Sequence, residues 1–159
     1  MPFRKYMRKL KSILLGQTVN GPFDLAETAG ELGKLMLSSS LENNLAQLKD
    51  IYFHCDDVIM RRFEIGSQRL AALLIYVEGF VDKNRVGEIM NALMLQSRLT
   101  EPDQKMTSKQ QFDLIISQCL LSSEISRADN FQQVTQGIFT GKLALFVEGV
   151  PQAVLADIK

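Results

Sequence analysis

Leu73-Leu74-Ile75-Tyr76-Val77-Glu78-Gly79 recurs, with changes, as Leu143-Ala144-Leu145-Phe146-Val147-Glu148-Gly149. Each copy is an apolar run with β-branched or aromatic residues, and each halts at Glu-Gly. A run of this kind, lacking polar–apolar alternation, reads as a strand buried on both faces. The glutamate and glycine that follow it are a charge and a turn residue. Two such strands separated by mostly helical sequence imply one sheet whose inner members are joined by a long crossover. The expected fold is therefore α/β: a mixed sheet of four or five strands, with two central strands ending in Val-Glu-Gly and about four covering helices. Because both runs look doubly buried, they are expected to be parallel neighbours at the centre.

The flanking sequence supplies the other elements. Val58 to Ile65 reads as a strand, and Arg61-Arg62 break its alternation, which suggests one wet face or an edge position. Gly66-Ser67-Gln68 is a turn that pairs this strand with Leu70–Val77 as a hairpin. Upstream, Ser39-Ser40-Leu41-Glu42 has the form of a capping box, followed by Leu41, Leu45, Leu48 and Tyr52 on one helical face. Asp82 or Asn84 caps a second helix with Val86, Ile89, Met90, Leu93 and Met94 on its stripe. Thr100 to Met106 is a loop. Thr107-Ser108-Lys109-Gln110 is another capping box, opening a helix that turns Phe112, Ile115, Ile116, Cys119 and Leu120 inward. Ser122 to Ala128 reads as a short edge strand. Asp129 or Asn130 then caps a last helix carrying Phe131, Val134, Ile138 and Phe139 and ended by Gly141. A final hairpin partner lies at Gln152–Ile158.

At 159 residues the chain fits one domain with a substantial core. The folded unit is expected over residues 39–159, preceded by a basic leader at 1–38. In that leader Phe3, Tyr6, Leu10, Ile13 and Leu14 recur at helical spacing among Arg4, Lys5, Arg8, Lys9 and Lys11, so residues 1–15 have the makings of a membrane-surface helix. Ile13-Leu14-Leu15 is too short for the apolar region of a signal peptide. Basic and acidic residues balance at 18 each, which gives no reason to expect a nucleic-acid partner. No window approaches the roughly 18 to 20 apolar residues of a membrane-spanning helix. Cys55 and Cys119 lack a CxxC spacing and no secretion signal precedes them, so both are expected to be reduced. Ala153 to Lys159 looks like a strand with no closing element, which suggests a longer parent protein.

Chemistry-bearing constellations are sparse. No phosphate-binding loop, nucleotide fingerprint, nucleophile elbow or HExxH motif occurs, so no catalytic residue and no cofactor is expected. The single histidine, His54, stands beside Cys55 and Asp56-Asp57. That cluster has poor geometry for a closed tetrahedral metal site and reads as a helix terminus, so no metal is expected. Glu78 and Glu148 are the more interesting pair. In adjacent parallel strands these carboxylates would share one sheet edge, where open α/β sheets bind ligands. Glu78, Gly79, Glu148 and Gly149 are therefore the candidate small-molecule site, through acid–base chemistry or a held cation. The plainer reading is a charge that stops a buried strand and meets water, then a turn glycine. Arg61, Arg62 and Arg69 are either a small anion-binding patch or a solvated strand face. The methionines on the helix stripes are ordinary core fillers.

The order of segments carries a resemblance. "SLENNLAQLKDIY", "DDVIMRRFEIG", "RLAALLIYVEGFVDKNRVGEIMNAL" and "GKLALFVEGVPQAVLADIK" together resemble the amino-terminal soluble domain, first subdomain, of GerA-type spore germination receptor A subunits. The most specific pieces are Ile75 to Asp82 and Gly141 to Ala153, in order and after the same helix and hairpin; SpoVAF-like proteins share a similar region. The resemblance implies a soluble, non-enzymatic sensing or assembly domain of a longer protein of the spore inner membrane, on its cytoplasmic (core) side, with membrane spans beyond this segment. It implies B- and C-type receptor subunits, and other A subunits, as partners. No catalytic residue is carried over. The alternative reading is a small-ligand-binding α/β module that uses the strand ends at Gly79 and Gly149.

Overall fold

The computed structural model describes residues 30, 32–53, 55–66, 69–95, 107–119 and 124–158, without the side chains of Gln118 and Cys119. Expectations placed on residues 1–29, His54, the turn residues Ser67 and Gln68, the 100–106 loop, Leu120 and Ser122 lie outside the described residues. Within them the order is α1 (Leu41–Ile51), β1 (Val58–Ile65), β2 (Leu70–Val77), α2 (Lys83–Met94), α3 (Ser108–Cys119), β3 (Ile125–Ala128), α4 (Phe131–Phe139), β4 (Lys142–Val147) and β5 (Ala153–Asp157). A helical turn at 32–34 precedes α1.

The fold is α/β, with five strands in the order β1-β2-β4-β5-β3. The two Val-Glu-Gly strands are adjacent at the interior of the sheet, but they run antiparallel: Ala72 lies opposite Val147 and Ile75 opposite Ala144. The other neighbouring pairs are antiparallel as well. The expected parallel pair and mixed sheet are thus corrected. The reason is a matter of parity. Between β2 and β4 the chain crosses the sheet four times, through α2, α3, β3 and α4, and an even number of crossings reverses direction. Three helices without β3 would have left the strands parallel.

The sheet is covered on both faces. On one face Leu73, Ile75, Val77, Ala144 and Phe146 pack with Leu41, Leu48 and Ile51 of α1 and with Phe131, Val134 and Ile138 of α4. On the other, Ala72, Leu74, Tyr76, Leu143, Leu145 and Val147 pack with Val86, Ile89 and Leu93 of α2 and with Phe112 and Ile115 of α3. Tyr76 and Phe146, equivalent in the repeat, therefore face opposite layers. Burial on both faces explains why neither strand alternates in polarity: every inward Leu, Ile or Phe contributes about 1.5–3 kcal/mol.

Local rules place the helix starts. Asp82 accepts a hydrogen bond from the backbone N–H of Asn84 at 2.9 Å, and Asn130 accepts from Gln133 at 2.9 Å. Thr107 and Gln110 form the reciprocal box, with side-chain oxygens accepting across at 2.9 and 3.3 Å. The start of α1 departs from expectation. Ser40, not Ser39, is the cap, and Glu42 turns away to pair with Arg62. Ahead of it, Leu32 and Leu37 are buried in the core, and Asn44 clasps both backbone groups of Ser38 at 2.7 and 2.8 Å. The packed unit therefore takes in residues before Ser39.

Candidate functional site

The antiparallel pairing sends the two Glu-Gly turns to opposite ends of the sheet. The Glu148 N–H donates to the carbonyl of Ala71, at the start of β2, at 2.9 Å, whereas the Glu78 N–H donates to Asp57, before β1, at 2.7 Å. Seven residues of extended chain separate Ala71 from Glu78, and at about 3.3 Å per residue the two ends are roughly 23 Å apart. The two carboxylates do not share a site.

Each turn has its own surroundings. At the first, Glu78 Oε1 accepts from Lys83 Nζ at 2.5 Å across an exposed surface. That hydrogen bond, with the charge behind it, raises the Lys83 ammonium above its ordinary pKa. Gly79 follows at φ +88°, with open space where a Cβ would stand.

The second turn is built into the domain. Glu148 Oε2 accepts from the backbone N–H of Leu41, the first residue of α1, at 2.9 Å. A carboxylate is well placed there because a helix N-terminus leaves orphan N–H groups and carries partial positive charge. The Gly149 N–H donates to the Ser39 carbonyl at 2.8 Å. Gly149 also has φ +88°, and a Cβ on it would stand 2.5 Å from Ser108 Oγ. One turn thus fastens the start of α1 to the end of β4 and lies close against the start of α3. The sequence missed this because Glu148 and Leu41 are 107 residues apart, and helix-capping patterns are local.

Beside that turn lies an open groove of about 420 Å³, lined by Met36, Leu37, Val150 and Pro151 with Lys109, Asp129 and Gln152. Gln152 Nε2 donates to Asp129 Oδ1 at 2.8 Å, so part of its polar rim is internally paired. Met36, 62% exposed, is the apolar lip.

The arginines do not form one patch. Arg62 pairs with Glu42 on α1, Arg69 pairs with Glu64 at 2.7 Å, and Arg61 is exposed. Cys55 is buried and is not part of a disulfide among the described residues. Close to it the Tyr52 hydroxyl and Thr135 Oγ1 share a 2.6 Å hydrogen bond inside the core. Burial raises the Tyr52 pKa far above the usual tyrosine value; the Thr135 bond opposes the shift and Cys55 adds to it. These groups are structural: they satisfy one another between α1 and α4.

A sequence model of the Bacillus/Clostridium GerA spore germination protein family matches residues 46–159. The chain belongs to the GerA family. Relatives of this GerA chain include the uncharacterized membrane protein YfkQ of Bacillus subtilis, 26% identical over 77% of the chain. Spore germination protein KA of the same organism is 24% identical over 77% of the chain. The chain spans 22% of the length of each of these two proteins. The N-terminal domain of the A subunit of the Bacillus megaterium spore germinant receptor GerK3 has the same fold, with a TM-score of 0.63 and 24% identity. The match covers 78% of the chain and 48% of that solved domain. Among the described residues of the GerA chain no helix is long and apolar enough to cross a membrane.

Proposed function

We propose that this chain is the soluble, non-enzymatic N-terminal module of a germinant-receptor A subunit, and that it works in receptor assembly and signal transmission. The observation that carries the reading is the family match over residues 46–159. The GerK3-like fold supports it. The two carboxylates then have structural roles, Glu148 capping α1 and Glu78 paired with Lys83 at the surface. In this reading the parent protein lies in the spore inner membrane with the module on the cytoplasmic side, and B- and C-type subunits are its partners. In-frame deletion of the module from the A subunit of a spore-former should abolish or severely slow nutrient-triggered germination, with the other subunits still expressed. Germination at the parental rate would refute the reading.

The groove beside Gly149 favours a second reading, a small-ligand module that uses one strand end. An apolar lining with a few polar groups at its rim is the usual character of such sites. A thermal-shift screen with amino acids, sugars, nucleosides and cations separates the two, because a ligand bound to the native state raises its stability. A shift abolished by Lys109→Ala supports the ligand reading. No shift across the panel supports assembly.

A further inference from the structure

We propose that the end of the sheet carrying the Glu148-Gly149 turn is a lipid-facing surface, which rests on anionic phospholipid headgroups together with the basic segment at residues 1–15. The membrane location of the parent protein is taken from the reading above. β1 and β4 end here, and β2 and β5 begin here. Among the described residues four large apolar side chains are exposed: Met36 at 62%, Phe53 at 54%, Met94 at 50% and Leu95 at 81%. Three of them share this end. Met94 ends α2 and Leu95 caps it, and the Gly66 N–H holds that terminus here by donating to the Leu93 carbonyl at 3.2 Å. Met36 bridges to Asn130, just past the Ala128–Ala153 pair that closes β3. Phe53 follows α1 and lies at the other end.

Charge divides the two ends in the same way. At this end the described acids are already engaged: Glu42 with Arg62, Glu64 with Arg69, Asp129 with Gln152 and Glu148 with the start of α1. Lys109 at the groove rim and Lys34 beside the start of α4 are exposed cations with no acid partner among the described residues. The opposite end exposes Asp56, Glu78, Asp82 and Glu124. Residues 1–29 also join at the lipid-facing end, because Gly33 abuts Gln132 in the first turn of α4. Arg4, Lys5, Arg8, Lys9 and Lys11 lie in that segment, and an anionic leaflet attracts such cations. Reversible surface anchors hold firmly only when two signals combine, and the apolar tips supply the second. Those tips stand on separate connections of the fold, whereas a partner protein needs a contiguous apolar patch. A fluid interface needs no matched shape, and lysine stems reach the headgroups while their apolar neighbours enter the acyl boundary.

The test is co-sedimentation of the full chain with phosphatidylcholine vesicles, with and without phosphatidylglycerol. Binding to the phosphatidylglycerol vesicles, weakened by added salt and much weaker without the anionic lipid, is expected. Met36→Asp with Leu95→Asp should lower the partition coefficient by about tenfold or more, since each removes an apolar side chain from the acyl boundary. Lys34→Glu with Lys109→Glu should lower it and flatten its salt dependence. Phe53→Asp, at the opposite end, should leave it unchanged. The substituted positions are exposed, and an unchanged Tm shows that each variant is folded. No sedimentation with anionic vesicles overturns the proposal. So does binding indifferent to Met36→Asp with Leu95→Asp, which leaves residues 1–15 as the whole attachment, and so does an equal loss in Phe53→Asp. Germination plays no part in the assay, so its failure and the failure of the receptor reading are told apart.

Discussion

The two Glu-Gly turns allow a matched experiment on one residue type. Gly79 and Gly149 share φ +88°, yet only Gly149 abuts a neighbouring helix. Gly79→Ala meets open space, so its cost is conformational alone, about 1–2 kcal/mol for an L-residue in the left-handed region. Gly149→Ala carries the same cost and a steric one. Its Cβ would stand 2.5 Å from Ser108 Oγ and 2.9 Å from Ser108 Cβ. The hydroxyl can rotate away, but the Cβ is fixed to the first turn of α3, so that turn must move. Overpacking of this kind costs about 1–3 kcal/mol, for a total of roughly 2–5 kcal/mol. In a domain of this size each kcal/mol lowers Tm by about 2–4 °C, a difference thermal unfolding followed by circular dichroism resolves easily. Ser108→Gly should recover the steric share in Gly149→Ala and recover nothing in Gly79→Ala, giving a coupling energy in a double-mutant cycle. Equal losses for the two alanines, or no coupling between residues 108 and 149, would refute the close approach of β4 to α3.

Other perturbations probe the interior and the cap. Glu148→Ala should lower stability by about 1–2 kcal/mol in chemical denaturation through loss of the charged cap on α1, and Glu148→Gln, which keeps an acceptor, should lose less. Tyr52→Phe strands a buried Thr135 hydroxyl and should cost about 1–3 kcal/mol, whereas adding Thr135→Val should recover part of that loss. Because burial raises the Tyr52 pKa in the fold, its contribution is fully present below the ordinary tyrosine value of about 10 and is lost as pH rises above it. Ultraviolet titration of the folded chain should therefore show a phenol that ionises well above the ordinary tyrosine range, and that late ionisation should vanish in Tyr52→Phe.

Much of the architecture was legible because it rests on local chemistry. Asp82, Asn130 and the Thr107–Gln110 box cap their helices as their side chains allow, and Gly66 permits the β1–β2 hairpin at φ +64°. The arginines of β1 suggested one wet face or an edge position, and β1 is an edge strand. Strand direction was not legible. A doubly buried run has no wet face, so its pattern is silent on orientation, and the direction of β4 turned on whether the four-residue β3 crosses the sheet. That single parity error carried the expected site with it, since Glu78 and Glu148 meet only in parallel strands. The cap of α1 was hidden for a different reason. Ser39-Ser40-Leu41-Glu42 offers a plausible local acid, but Glu42 is drawn to Arg62, and the carboxylate that serves the helix arrives from the far end of the chain.

The arrangement of the two central strands is what fixes the site, and nuclear Overhauser spectroscopy reports it directly. The antiparallel account predicts Hα–Hα cross-peaks between Ala72 and Val147 and between Leu74 and Leu145, the close non-hydrogen-bonded pairs of this register. Cross-peaks at a constant offset along the repeat, linking Leu73 to Leu143 and Val77 to Val147, would contradict it and would put Glu78 back beside Glu148.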